Sequence, residues 1–218
     1  MDWFPLLLSL RVATVATLAA GSLGVALAYA LAMGRFPGRR LLEAIASLPL
    51  TLPPTVLGYY LLVVLGRGST LGGWIEAVTG SPLVFTWQGA VVAATIPSLP
   101  LVVRPARAAF EDVDPAVLEA ARIDGGSRLH QLLFILLPLG RRGITAGLAL
   151  AFARALGDFG TTLMVAGNIP GKTQTMPIAI YDAVQAGRWD VATTLAVVLS
   201  LVSIGLLVGI GRLGERVL

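Results

Sequence analysis

From Ser9 to Met33 the chain reads SLRVATVATLAAGSLGVALAYALAM, with a single charge, Arg11, near its start. A helix needs about 20 apolar residues to cross the ~30 Å of hydrocarbon in a bilayer, and this run is long enough. Four further stretches qualify, at 44–65, 86–108, 142–166 and 191–212. The third contains Pro97, Pro100 and Pro105, so a kinked or irregular helix is expected there. Such breaks survive in a membrane only where protein or water satisfies the freed carbonyls. The composition agrees: 56% of residues are hydrophobic and 13% charged, against about 25% charged in soluble domains. The expected fold is all-α, a polytopic membrane protein of about five spans forming one domain over residues 1–218. The start, Met1-Asp2-Trp3-Phe4-Pro5, has no basic n-region, so the first helix is expected to be retained.

The arginines orient the spans. Loop 34–43 holds Arg35, Arg39 and Arg40. Segment 104–142 holds Arg104, Arg107, Arg122, Arg128, Arg141 and Arg142, and the tail holds Arg212 and Arg216. The alternate loops hold only Arg67, Lys172 and Arg188, an asymmetry of eleven to three. By the positive-inside rule the N-terminus is expected outside, with segment 104–142 and the C-terminus in the cytoplasm. The net charge of +4 therefore reflects membrane orientation, and no nucleic-acid partner is expected.

Between the third and fourth spans lies a polar segment, 111–138, that cannot sit in lipid. Asp114-Pro115 is a helix start, an N-cap acceptor followed by proline at the first helical position. Ala116, Ala120 and Ile123 fall on one face, with Val117, Ala121 and Asp124 beside it. Gly125-Gly126 ends the helix, because a positive φ at the terminus is cheap only for glycine. Ser127 can cap a second helix carrying Leu129, Leu132 and Leu133 back towards the membrane, with Pro138 marking the break before the fourth span. Two readings are open: an amphipathic helix lying on lipid headgroups, or a small, smooth face that enters a cleft on another protein.

Glu119-Ala120-Ala121, three residues, Gly125, nine residues, then Ile135-x-Leu137-Pro138 resembles the signature of permease subunits of ABC importers. In that family the segment is the coupling helix that docks on a cytoplasmic ATPase. The resemblance makes Glu119, Ala120, Ala121 and Gly125 the expected ATPase contacts. Phe36-Pro37-Gly38, Leu48-Pro49-Leu50, Pro53-Pro54, Ala151-Phe152-Ala153-Arg154 and Gly167-Asn168-Ile169-Pro170-Gly171-Lys172-Thr173 are similar to the molybdate-importer branch, as are Thr175-x-Pro177 and Ile180-Tyr181. Sulfate and tungstate permeases share much of this pattern. Asp158 departs from it, standing where a glutamate is expected.

Residues 167–173 imitate a phosphate-binding loop, but only three residues separate Gly167 from Gly171, and position 166 is alanine. The loop also follows a membrane helix and not a strand. The ATPase is therefore expected on a separate chain, and this chain is expected to be no enzyme by itself. Arg154 and Asp158 are the ionisable residues of the fourth span, about 18 and 24 Å along a helix from Arg142. Either they form a mutual i,i+4 salt bridge, or Arg154 adds positive potential to an anion path with Asp158 orienting it. Pro53, Pro54, Thr55 and Ser98 are candidates to line that path, with plain helix packing as the competing reading. Gly143-x-x-x-Gly147 and Gly205-x-x-x-Gly209 have the spacing of close helix contacts.

The resemblance implies a homodimer with two ATPase subunits and an extracytoplasmic oxyanion-binding protein, in a prokaryotic cell membrane. Loops 66–85 and 167–190 would receive the binding protein, with Trp74, Lys172, Tyr181, Arg188 and Trp189 as candidate contacts. No cofactor or metal is expected; His130 stands alone and there is no cysteine. The alternative is a gradient-driven secondary transporter or channel, for which inverted repeats are missing.

Overall fold

A computed structural model describes residues 2–216, with side chains through Gly209. The tail arginines Arg212 and Arg216 lie beyond the described side chains. Among the described residues, three helices are long and apolar enough to cross a membrane: α1 (Phe4–Met33), α5 (Trp87–Glu111) and α12 (Trp189–Arg216, of which Trp189–Gly209 is described in full). The remaining apolar stretches are bent, and the count of crossings reaches five only when each bent pair is taken as one span.

The expected span 44–65 is not one helix. It comprises α2 (Arg39–Ser47), a 3₁₀ turn over Leu48–Leu50, and α3 (Pro54–Leu65), with a bend of 114° between the two arms. Prolines 49, 53 and 54 explain it: each removes a backbone donor, and Pro53 is held extended at φ −55°, ψ 138°. Span 142–166 is likewise interrupted. It comprises α9 (Arg141–Leu156) and α10 (Gly160–Ala166), with Gly157, Asp158 and Phe159 between them. By contrast, α5 runs as one helix through Pro97, Pro100 and Pro105. The Leu101 carbonyl, stripped of its helical donor by Pro105, faces Gly147 of α9.

The core is the packing of α1, α5 and α9, built on small residues. Ala13, Ala16, Ala20 and Ala28 of α1, Ala90, Ala93 and Ala94 of α5, and Ala151 of α9 are fully buried. A Cβ at Gly143 would stand 2.6 Å from the Pro105 carbonyl oxygen, and one at Gly24 2.9 Å from Val102 Cβ. Lipid tails are as apolar as leucine, so close backbone approach and dispersion hold these helices together rather than burial from water. A Cβ at Gly205 or Gly209, in contrast, would meet nothing within 4 Å among the described residues. Three buried hydroxyls are spent on their own helices: Thr17 donates to Ala13 O, Thr95 to Val91 O and Ser98 to Ala94 O, each at 2.7 Å.

The two ends of the bundle differ. One gathers the starts of α1, α5 and α12, each beside a tryptophan (Trp3, Trp87, Trp189), together with Trp74 on α4 (Thr70–Thr79). There the Ser9 hydroxyl accepts from Met176 N at 2.7 Å, and Arg11 stacks 3.7 Å above the Trp87 ring. A tryptophan belt of this kind marks a membrane–water interface. The opposite end carries α2, the end of α5, and the segment that follows.

Candidate functional site

At that opposite end stands α6 (Pro115–Ile123). Asp114 Oδ1 accepts from Ala116 N at 2.8 Å and caps it. Its far end closes as a Schellman motif: Gly126 N donates to Ala121 O, Gly125 N to Arg122 O, and Gly125 takes φ +82°. The Ser127 hydroxyl then caps α7 (Arg128–Gln131) by accepting from His130 N. A π turn follows over Leu132–Leu136, then α8 (Leu137–Leu139). Pro138 lies inside this helical run, and the 75° bend into α9 falls at Gly140 instead. The wide π turn absorbs the missing proline donor, while a Cβ at Gly140 would meet Phe110 Cε1 at 2.9 Å.

The helix rests on the bundle through Leu118, which packs with Val113 and Leu132 against Phe110 and Leu136. Gln131, buried, reaches back to the Leu118 and Gly126 carbonyls at 3.4 and 3.5 Å. Sequence reasoning missed this strap, whose only signal is an amide on the inward face of α7. Away from the bundle, Glu119 and Ala120 are exposed and Ala121 half-buried. Val117 is exposed too, and Ile123 is 86% exposed. This open β-branched side chain stands beside the alanines of α6 and the Gly125 stop.

The second cluster lies where the broken spans meet. Asp158 is 2% exposed, and every donor near it is engaged. Its Oδ1 accepts from Arg154 Nη1 at 2.8 Å; its Oδ2 accepts from Thr162 N at 2.9 Å and Thr162 Oγ1 at 2.6 Å. The i,i+4 ion pair is present, but not along a continuous helix. One carboxylate oxygen holds the guanidinium that ends α9, and the other satisfies the start of α10. Asp158 thus bridges the break. Arg154 keeps 29% of its side chain exposed.

The other break packs against this one. A Cβ at Gly160 would meet Pro54 Cβ at 3.0 Å, one at Gly58 would stand 2.7 Å from Met164 Cβ, and Thr161 Oγ1 faces the Pro54 carbonyl at 3.4 Å. Pro53, Pro54 and Thr55 are exposed beside this contact. Ser98 does not join them: it is fully buried in α5, where its hydroxyl donates to Ala94 O. Phe159, in the break, stacks on Tyr181 of α11 (Met176–Gln185) with centroids 5.0 Å apart.

The loop 167–175 closes on itself. Thr173 is buried, its hydroxyl accepts from Ile169 N, and its own N–H returns to Ile169 O. No ring of free amides is offered to a phosphate. Asn168 and Arg188 converge on Asp182 at 3.1 Å each, while Lys172, Trp74 and Trp189 are exposed. Among the described residues no cluster of His, Cys, Asp or Glu could hold a metal.

Comparison with known proteins agrees with this architecture. Residues 20–212 match the family described as "Binding-protein-dependent transport system inner membrane component". The chain is 42% identical over 209 residues to the molybdenum transport system permease protein ModB of Escherichia coli K12, covering 95% of this chain and 91% of the relative. It is 35% identical over 204 residues to the sulfate transport system permease protein CysT of the same organism, covering 94% of this chain and 73% of that one. Among solved structures, the MetNI methionine ABC transporter in inward-facing form aligns over 100% of both chains at TM-score 0.75 and 17% identity, a likeness of fold. This chain belongs to the family of inner membrane components of binding-protein-dependent transport systems.

Proposed function

We propose that the chain is the permease subunit of an ATP-driven importer of molybdate or a related tetrahedral oxyanion, and that it forms the translocation path as a homodimer. The observation that carries this reading is α6: a capped, rigid helix outside the apolar bundle, presenting Glu119, Ala120, Val117 and Ile123 to a partner. In this reading the partner is a separate ATPase, one per protomer, and Gly125 fixes the turn that holds the helix at its groove. The arginines around it support a cytoplasmic position for α6. The N-terminus is then outside and the C-terminus cytoplasmic. Loops 66–85 and 167–190 face an extracytoplasmic binding protein, through candidates such as Trp74, Lys172 and Trp189.

Closure of two ATPases would draw the two α6 helices together. Motion would pass along α5 and α9 to the paired breaks, whose short arms α3 and α10 can tilt as a unit to open one side of the path while closing the other. The irregular backbone at 51–53 and 157–159 and the half-exposed Arg154 cannot face lipid. They support a water-filled path along this face, with the second copy across it. Arg154 would offer a dianion positive potential, held in place by Asp158. The substrate class rests on the molybdenum and sulfate relatives. The test is uptake of radiolabelled molybdate into proteoliposomes containing this chain, its ATPase and the binding protein. Uptake should require ATP and be competed by tungstate; uptake driven by an ion gradient without ATP would refute the reading.

A further inference from the structure

At the α6 end of the bundle, a crevice of about 320 Å³ opens between α2 and α5. One part of its lining is apolar: Leu31, Ala46, Pro100 and Val103. The charged part is Glu43, Arg104, Arg107 and Glu111. Three of those four are committed to each other. Arg107 donates to Glu43 at 2.6 Å and to Glu111 at 2.8 Å, and Arg39 closes on Glu111 at 3.2 Å. Two guanidinium groups against two carboxylates leave this girdle neutral.

Arg104 is different. It sits three residues before Arg107 on the same helix, is exposed, and makes no ion pair or side-chain hydrogen bond among the described residues. The crevice therefore combines an apolar wall with one uncompensated cation near the end of a membrane span. Basic pockets between spans at an arginine-rich membrane face suit anionic lipid headgroups, and the planar guanidinium matches a phosphate through two parallel N–H donors. A free inorganic oxyanion would use the cation and leave the apolar wall idle; an amphiphile uses both. We infer that this crevice binds an anionic phospholipid, with Arg104 on the headgroup phosphate and the start of its acyl chains at the narrow apolar mouth, since Leu31 and Val103 are themselves nearly buried. The inference needs only that the chain is a membrane component, and stands apart from the substrate it transports.

The full-length protein, reconstituted in vesicles of phosphatidylcholine and phosphatidylglycerol in equal parts and then extracted, can be weighed by native mass spectrometry to count retained lipids. Phosphatidylglycerol should be retained in preference to phosphatidylcholine. Arg104→Gln should cut that preference about fivefold, the effect of one arginine near an anionic surface. Arg104→Lys should keep most of it, which separates loss of the site from loss of the fold. Arg40→Gln, an exposed arginine of α2 outside the crevice, should leave it unchanged. Equal losses in Arg104→Gln and Arg40→Gln would overturn the inference, showing only general surface attraction. Displacement of the lipid by free molybdate or sulfate, but not by chloride of equal ionic strength, would overturn it in favour of a free oxyanion.

Discussion

Removing either member of the Arg154–Asp158 pair should destabilise the chain unequally, because the two are unequally buried. Asp158 exposes 1% of its side chain and Arg154 29%. Arg154→Met keeps the aliphatic stem but strands a carboxylate in the interior. Breaking a buried pair in this way costs about 3–5 kcal/mol. The lower figure, about 3 kcal/mol, applies here because Thr162 still supplies two donors. Asp158→Asn leaves an arginine whose outer edge can reach water, and a carboxamide oxygen that can still accept from Thr162 N. The loss is then roughly one charge-assisted hydrogen bond, about 1.5 kcal/mol. For a chain of this size about 1 kcal/mol moves the melting temperature by roughly 2–4 °C. Thermal unfolding of the purified protein in detergent should therefore show a fall of about 6–12 °C for Arg154→Met and about 3–6 °C for Asp158→Asn. The double variant should lose about 2.5–3.5 kcal/mol, short of the additive ~4.5, a coupling energy of about 1–2 kcal/mol. Additive losses, or Asp158→Asn falling further than Arg154→Met, would refute the view that one buried carboxylate ties the two halves of this span together.

Ile123→Asp should abolish co-purification of the ATPase while leaving the melting temperature within about 1–2 °C of the parent, since an exposed side chain contributes little to stability. Gly58→Ala should lower the melting temperature by about 5 °C, because its Cβ would stand 2.7 Å from Met164 Cβ and overpacking costs about 1–3 kcal/mol; an unchanged melt would contradict the close packing of α3 on α10. The chain has no cysteine, so single cysteines report topology directly. A membrane-impermeant maleimide added outside spheroplasts should label Gly171→Cys and Gly187→Cys but not Gly125→Cys, and the reverse pattern would invert the orientation.

Features carried by local chemistry were legible in the sequence. The Asp114-Pro115 start, the Gly125 stop and the Ser127 cap of the surface segment each use groups within a few residues of one another. The run 44–65 reads as one span although Pro53 and Pro54 remove donors, and its 114° bend depends on where α2 and α3 find partners. The break at 157–159 was hidden. Apolar residues continue on both sides, and Asp158 reads as the i+4 partner of Arg154 in an unbroken helix. Only the second carboxylate oxygen, on Thr162, shows that the helix restarts there. The prolines of α5 suggest a break, yet α5 continues as one helix through all three, with Gly147 beside a freed carbonyl. Contacts such as Ser9 with Met176 and Arg11 with Trp87 join distant positions and leave no local trace.

Cysteine cross-linking at α6 tests the central claim most directly. In membranes containing the assembled transporter, Ile123→Cys and Ala120→Cys should each form a covalent adduct with the ATPase through a short bifunctional maleimide, and the yield should change when ATP is bound. Gly171→Cys, at the opposite end of the bundle, should form none. Absence of any ATPase adduct from Ile123→Cys and Ala120→Cys, with the transporter intact and active, would contradict the assignment of α6 as the contact through which ATP hydrolysis drives this chain.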